Sequence, residues 1–353
     1  MKIVSVVGAR PNFIKIAPVS KELRKKFKEI VIHTGQHYDY GMDKIFFDEL
    51  GIPEPDYHLG VGSGSHGEQT GEMLKGIESV LIKETPDLVL VFGDTNTTLA
   101  GALAACKLHI RVAHIEAGLR SYDRRMPEEI NRVLTDHCSD LLFCPTRTAV
   151  ENLKKESIVE GVYLTGDVMV DALKVNIKIA ERTSRILDEL SLKSNDYYLA
   201  TLHRAENTDD LFRLKNIVDA FCEMGNLVFP CHPRTKKSLK MANLWDDLTK
   251  KVKVIKPVGY LDMLMLEKNA NKILTDSGGV QKESYIFKVP CITLRTNTEW
   301  VETVEDGWNV LVGADKEKII EMANNFEPEG EQRDVFGEGD TSEGVVKILM
   351  NKA

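Results

Sequence analysis

Three acids stand where short apolar runs give way to loops: Asp94 after Asp87–Gly93, Glu116 after Arg111–Ile115, and Glu128 in Pro127-Glu128-Glu129, which opens a helical stretch. Carboxylates brought near one another raise each other's pKa, so that one can hold a proton while another is ionised near neutrality. That is the equipment of general acid–base chemistry. Glu129, taken alone, is a dipole partner at a helix start. The apolar runs of the second half end on different groups. His203-Arg204 follows one, Cys231-His232-Pro233-Arg234 the next, and Thr275-Asp276-Ser277-Gly278-Gly279 a later one, with Gln281 and Glu283 a turn into the following helix. Ser-Gly-Gly at a helix N-terminus presents bare backbone N–H groups to a phosphate, and Glu283 is placed to accept hydrogen bonds from a ribose. A further anion site is expected near the N-terminus, where Gly8-Ala9-Arg10-Pro11-Asn12 and Lys15 put two cations at the start of a helix.

Such groups need a frame. Candidate strands are Lys2–Gly8, Glu29–Thr34, Asp87–Gly93, Arg111–Glu116, Asp140–Pro145 and Tyr163–Gly166, with amphipathic stretches between them. In Glu68–Glu84, for example, Met73, Leu74, Ile77, Val80 and Leu81 share one helical face. Helices are expected over Asp171–Leu192. A second series then begins: Tyr197–Leu202, Asn226–Pro230, Val252–Lys256, Lys272–Thr275, Cys291–Leu294 and Asn309–Val312. Strand–helix alternation means parallel sheets. The expected fold is therefore α/β, with two Rossmann-like doubly wound domains and a cleft between them. Residues 1–170 carry the carboxylates and 171–340 the anion-binding groups. The Glu- and Gly-rich stretch Glu327–Gly339 is a crossing segment, and a last helix near 341–353 packs back on the first domain. Ligands of such sheets sit beyond the carboxyl ends of the strands, where strand order reverses.

Composition excludes several classes. The 353 residues carry a formal net charge of −8 without a Lys/Arg block, which argues against nucleic-acid or anionic-membrane partners. No apolar run approaches the ~18 residues of a membrane span, so a cytoplasmic location is expected. Six scattered cysteines form no C-x-x-C pair and read as reduced thiols. Gly62-x-Gly64-x-x-Gly67 matches the dinucleotide fingerprint formally, but only the weak strand Tyr57–Val61 precedes it, and a mobile loop is expected there. No P-loop and no D-x-D occurs. His114-x-Glu116 lacks the P-C-x-x-C half of a zinc deaminase site, so no metal is expected.

At these residues the chain resembles the non-hydrolysing UDP-N-acetylglucosamine 2-epimerases over nearly its full length. The matching stretches are Gly8-Ala9-Arg10-Pro11, Thr34-Gly35-Gln36-His37, Gly93-Asp94-Thr95-Asn96-Thr97, His114–Arg120, Pro127–Arg132, His203-Arg204 and Leu274–Glu283. The resemblance implies the glycosyltransferase-B fold, a homodimer, and inversion at C2 of a UDP-sugar substrate without a nicotinamide cofactor. UDP would be eliminated across C1–C2 to give an acetamido-glycal and then added back. By that likeness Asp94, Glu116 and Glu128 take the positions of the catalytic carboxylates. Arg10, Lys15, His203, Ser277, Gly278, Gly279 and Glu283 take positions that hold UDP, His203 counting also among the catalytic candidates, and His232 falls on an active-site position. Bacterial members bind a second UDP-GlcNAc as activator near residues matching Gln36, His37 and Gln69; here Glu68 stands where those members often carry Arg. Other departures are Trp300 in place of the Arg that commonly follows the Glu matching Glu299, Ala205 in place of a second Arg after His203-Arg204, and a shorter stretch between Glu116 and Glu128. Epimerases of UDP-2,3-diacetamido-glucuronate also carry a Trp near this site and are the close alternative. A hydrolysing relative that releases free N-acetylmannosamine, a glycosyltransferase on the same fold and a non-catalytic sensor of nucleotide sugars complete the readings.

Overall fold

The computed structural model describes residues 1–35 and 51–352, the side chain of Arg10 excepted. Gln36 and His37 lie outside the described residues. The chain divides into two compact units, one made of Met1–Val175 with Asp334–Ala353, the other of Asn176–Arg333.

The first unit is built on seven strands: β1 Lys2–Val7, β2 Lys28–His33, β3 Tyr57–His58, β4 Leu88–Phe92, β5 Arg111–Ile115, β6 Leu141–Cys144 and β7 Val162–Leu164. They lie in the order β3-β2-β1-β4-β5-β6-β7, and every pairing is parallel. Strands covered by helices on both faces must be apolar throughout, and all five residues of β4 are buried. The second unit repeats the plan with six parallel strands: β8 Tyr198–Thr201, β9 Leu227–Pro230, β10 Lys253–Ile255, β11 Lys272–Thr275, β12 Cys291–Thr293 and β13 Asn309–Leu311, in the order β10-β9-β8-β11-β12-β13. Strand order thus reverses between β1 and β4 in one sheet and between β8 and β11 in the other.

Several helices frame these switch points. Asn96–Lys107 follows β4, Pro127–His137 follows β5, and Gly278–Ile286 follows β11. The helix expected over Glu68–Glu84 starts at His66, where the Ser65 hydroxyl caps Glu68 N–H. In the stretch before it, expected as a mobile loop, Gly62 is bonded through both its N–H and its carbonyl. Gly62 N–H donates to the Gly35 carbonyl at 2.7 Å, and Gln69 Nε2 donates to the Gly62 carbonyl at 2.8 Å. The weak strand ahead of it shortens to two residues that pair with β2.

Residues 326–340 form no helix or strand. The helix Thr341–Lys352 then packs on Arg10–Leu23 within the first unit. The Asp171 carboxylate accepts the N–H groups of Thr341 and Ser342 at 3.2 and 2.6 Å and so caps this helix. No described helix is long and apolar enough to cross a membrane.

Candidate active site

In the first unit the switch point is stapled by Asn12. Its amide donates to the Phe92 carbonyl at 2.8 Å, while its oxygen accepts from Gly8 N–H, Ala9 N–H and the Thr95 hydroxyl. This one side chain joins the turn after β1 to the turn after β4, which carries Asp94. Glu116 follows β5 with φ 75, a left-handed conformation that costs a non-glycine residue energy and recurs at functional sites. Its N–H and that of Ala117 both donate to the Phe143 carbonyl, which pins the turn.

Each of two acids meets a cation at close range. Lys15, from the first helix, pairs with Glu116, both side chains being under a tenth exposed. Arg132 Nη2 pairs with Asp94 at 2.6 Å, and its Nη1 reaches Glu129 at 2.9 Å. Asp94 and Glu116 thus each have a buried cation beside them. Glu129 is more than a dipole partner. It accepts from the Ser121 N–H and hydroxyl and from the Tyr122 N–H, and so folds the segment between Glu116 and Glu128. Glu128, in the first turn of Pro127–His137, is half-buried. Gly93, with φ +66, separates these groups: a Cβ there would stand 2.7 Å from Lys15 Nζ and 3.1 Å from a Glu116 carboxylate oxygen.

Gln69 is buried between Gly62 and Asn96, whose amide donates to it at 2.9 Å. Asn96 in turn takes a hydrogen bond from Asn131, which also donates to the Asp94 carbonyl. The one described member of the activator-site candidates is thus wired to the turn that carries Asp94.

In the second unit the fully buried Asp276 does for β8 and β11 what Asn12 does for β1 and β4. Its carboxylate accepts from His203 N–H and Arg204 N–H at 3.0–3.1 Å and from the Asn207 amide, and its carbonyl accepts from Arg204 Nε. This fixes the His203-Arg204 turn against the start of Gly278–Ile286. Ser277 caps that helix through the Val280 N–H. Glu283 is buried one turn in and accepts the Tyr260 hydroxyl at 3.0 Å. His232 caps Pro233–Met241, its Nδ1 accepting the Arg234 N–H, and its ring lies 6.1 Å from that of His203.

Gly278 has no room for a side chain: a Cβ would come within 2.3 Å of a Glu299 carboxylate oxygen and 3.3 Å of Trp300 Nε1. Glu299 is held by buried Arg295 at 2.9 Å, with Arg204 Nη2 at 3.8 Å. Trp300 is itself buried, and the Lys282 ammonium lies 4.2 Å from its ring centre, a cation–π contact. Where the family commonly places an Arg, this chain has an indole with a lysine cation on its face.

Sequence reasoning left Asn12, Arg132, Arg295 and Lys282 without roles. Asn12, Arg132 and Lys282 stand there only as members of the stretches Gly8–Asn12, Pro127–Arg132 and Leu274–Glu283. Among the described residues no group of three or more His, Cys, Asp and Glu is arranged to hold a metal ion.

Acids at the switch point of one parallel sheet and a capped Gly-Gly turn at that of another define an α/β enzyme of the glycosyltransferase-B class. The family model for UDP-N-acetylglucosamine 2-epimerase matches residues 21–350. A Methanococcus maripaludis protein described as a UDP-N-acetylglucosamine 2-epimerase homolog is 61% identical, the match covering 99% of this chain and all of the other. The UDP-2,3-diacetamido-2,3-dideoxy-D-glucuronate 2-epimerase of Pseudomonas aeruginosa is 50% identical over 99% of both chains. The crystal structure of the Methanocaldococcus jannaschii UDP-GlcNAc 2-epimerase, in complex with UDP-GlcNAc and UDP, superimposes with a TM-score of 0.94 at 54% identity and covers 99% of this chain and all of that one. The chain belongs to the UDP-N-acetylglucosamine 2-epimerase family, whose members are isomerases.

Proposed function

We propose that this enzyme interconverts UDP-N-acetylglucosamine and UDP-N-acetylmannosamine by inversion at C2. The supporting observation is the placement of Asp94 and Glu116 on adjacent strand ends, each beside a buried cation. One carboxylate takes the C2 proton. The electron pair of that C–H bond becomes the C1–C2 double bond, and UDP departs with the electrons of the C1–O bond. The acetamido-glycal then takes UDP back at C1 while an acid on the opposite face protonates C2. Asp94, Glu116 and Glu128 carry these proton transfers. Lys15 keeps Glu116 oriented and its charge balanced. The Ser277-Gly278-Gly279 turn, with His203 and His232, receives the diphosphate, and Glu283 the ribose. Charge on departing UDP is stabilised by preorganised donors, so the scheme calls for no metal and no nicotinamide. We further read the protein as a cytoplasmic homodimer, a state that sedimentation would establish.

Incubation with UDP-GlcNAc in D2O, followed by NMR, tests the reading. UDP-ManNAc carrying deuterium at C2 is expected, because a carboxylic acid exchanges its proton with solvent before returning it. Free sugar plus UDP would make the enzyme a hydrolysing relative. Retained hydrogen at C2 would overturn the carboxylate route.

Trp300 supports a second reading. With Lys282 over its ring it offers a cation set back behind an aromatic face, and a relative at 50% identity acts on a diacetamido-glucuronate. No change with UDP-GlcNAc but turnover of UDP-2,3-diacetamido-glucuronate would favour that substrate.

A further inference from the structure

A buried cluster behind the acids takes no part in the scheme above. His114 lies on β5, wholly buried. Its Nε2 is 2.7 Å from the Gly93 carbonyl and its Nδ1 2.7 Å from Asp136 Oδ1. A carbonyl only accepts, so Nε2 carries a proton. Asp136 is held below the ordinary carboxylate range: burial alone would raise it, but His114 and Arg120 together outweigh burial. Nδ1 faces that carboxylate at hydrogen-bond distance. The other oxygen of Asp136 accepts from Gly118 N–H at 3.1 Å and from Arg120 Nη1 at 2.7 Å. Arg120 closes the cluster with a two-pronged contact to Glu156, 2.7 Å on each prong.

The cluster meets each of the three acid-bearing segments at a defined point. Gly93 shares its peptide bond with Asp94, so the carbonyl that His114 holds fixes the plane from which Asp94 departs. His114, on β5, is two residues before Glu116, and Gly118 two residues after it. Asp136 lies on Pro127–His137, the helix whose first turn carries Glu128. Hydrogen bonds of 2.7–3.1 Å within a fully buried cluster leave these segments little freedom to slide past one another.

We propose that His114, clamped by Asp136, is a positioning residue for the epimerisation, and that it sets the separation of Asp94, Glu116 and Glu128 without touching substrate. This rests on the function proposed above. Misplacement of reacting groups by about 1 Å costs up to ~10²-fold, so the His114–Asp136 pair acts on kcat more than on binding.

The test compares three variants with wild type, using UDP-GlcNAc turnover, UDP calorimetry and thermal melting. His114→Phe keeps the ring but removes both nitrogens. It is expected to lower kcat about 10- to 100-fold while KM and UDP affinity stay within about threefold. His114→Gln, whose amide can still donate to the Gly93 carbonyl, should recover part of kcat. Glu156→Gln loosens the far end of the cluster and lowers the melting temperature, yet should leave kcat within about threefold.

Two outcomes overturn the proposal: a folded His114→Phe enzyme with wild-type kcat, or a Glu156→Gln enzyme whose kcat falls as far as that of His114→Phe. Nitrogen-15 spectra of the ring give a readout independent of activity. A proton on Nε2 of His114, facing the Gly93 carbonyl, is expected, and a bare Nε2 would refute the clamp. If wild type turns over the diacetamido-glucuronate nucleotide instead, the same split is read on that substrate. A wild type inert on both defeats the proposed function, and the ring spectrum then decides on the clamp alone.

Discussion

The two switch points solve opposite problems with different materials. At β1/β4 the first unit presents charges that must move protons, and each is held by a side-chain partner far away in sequence: Lys15 for Glu116, Arg132 for Asp94, His114 and Asp136 behind both. At β8/β11 the second unit presents mostly backbone: Ser277, two glycines and a capped helix start, stapled by one buried acid, Asp276. Proton transfer needs groups with adjustable protonation, which only side chains supply, and buried side-chain charges need company. Anion binding needs fixed donors, and a helix N-terminus supplies them ready-made. The first site should therefore fail through chemistry and the second through binding.

The largest effects should come from the acids. Asp94→Asn, Glu116→Gln and Glu128→Gln should each cut kcat by roughly 10²-fold or more, with UDP affinity nearly unchanged. A large loss of UDP affinity in all three would erase the contrast between the units. A variant blocked only in re-addition would release the glycal and UDP, a product readable by NMR.

Next comes the buried pair. Lys15→Met strands Glu116 without its cation and should destabilise the first unit by roughly 3–5 kcal/mol, as well as slowing turnover. Restored stability in the double variant Lys15→Met, Glu116→Leu would trace the cost to the buried Glu116 charge. No restoration would place the cost elsewhere.

In the second unit, His203→Ala and Glu283→Ala should each weaken UDP binding by about 1.5–3 kcal/mol, measured by calorimetry. Gly278→Ala should act in the same direction, because its Cβ would strike the Glu299 carboxylate. Unchanged affinity in all three would place the nucleotide elsewhere.

The smallest effect concerns acid. Because Asp136 sits below its ordinary range when folded, the stability it confers is complete above the unfolded value of about 3.9 and is lost as pH falls through the lower folded one. Melting temperature should therefore drop as acid is added toward about pH 3, and Asp136→Asn should flatten that slope. Asp306, likewise lowered by the Tyr285 hydroxyl and Arg333 against its own burial, adds a slope of the same sign in the second unit. An acid slope that persists undiminished in Asp136→Asn would assign the effect to Asp306 and other carboxylates.

Much of this was legible in the sequence, for a physical reason. Parallel strands buried on both faces are unbroken apolar runs, so β1, β4, β5, β8 and β11 can be bounded from their residues, and the groups that follow them can be named as site candidates. Ser277-Gly278-Gly279 announces itself because only bare backbone does that job. What could not be read is who partners whom. Lys15 and Glu116 are a hundred residues apart, and His114 meets the Gly93 carbonyl through space alone. Glu129 looks like an ordinary helix-start acid until Ser121 and Tyr122 turn back onto it. The weak strand Tyr57–Val61 keeps only Tyr57–His58 as β3, the two residues that β2 pairs.

The last helix carries a consequence for how the molecule comes into being. Thr341–Lys352 completes the first unit by packing on Arg10–Leu23 and taking its cap from Asp171, yet the whole of Asn176–Arg333 is made in between. A ribosome delivering the chain from its N-terminus will therefore finish the second unit first, while the side of Arg10–Leu23 that this helix covers waits open. The earliest-made part of the enzyme is the last to be closed, and the nascent chain is most exposed to misassociation there, during the synthesis of its other half.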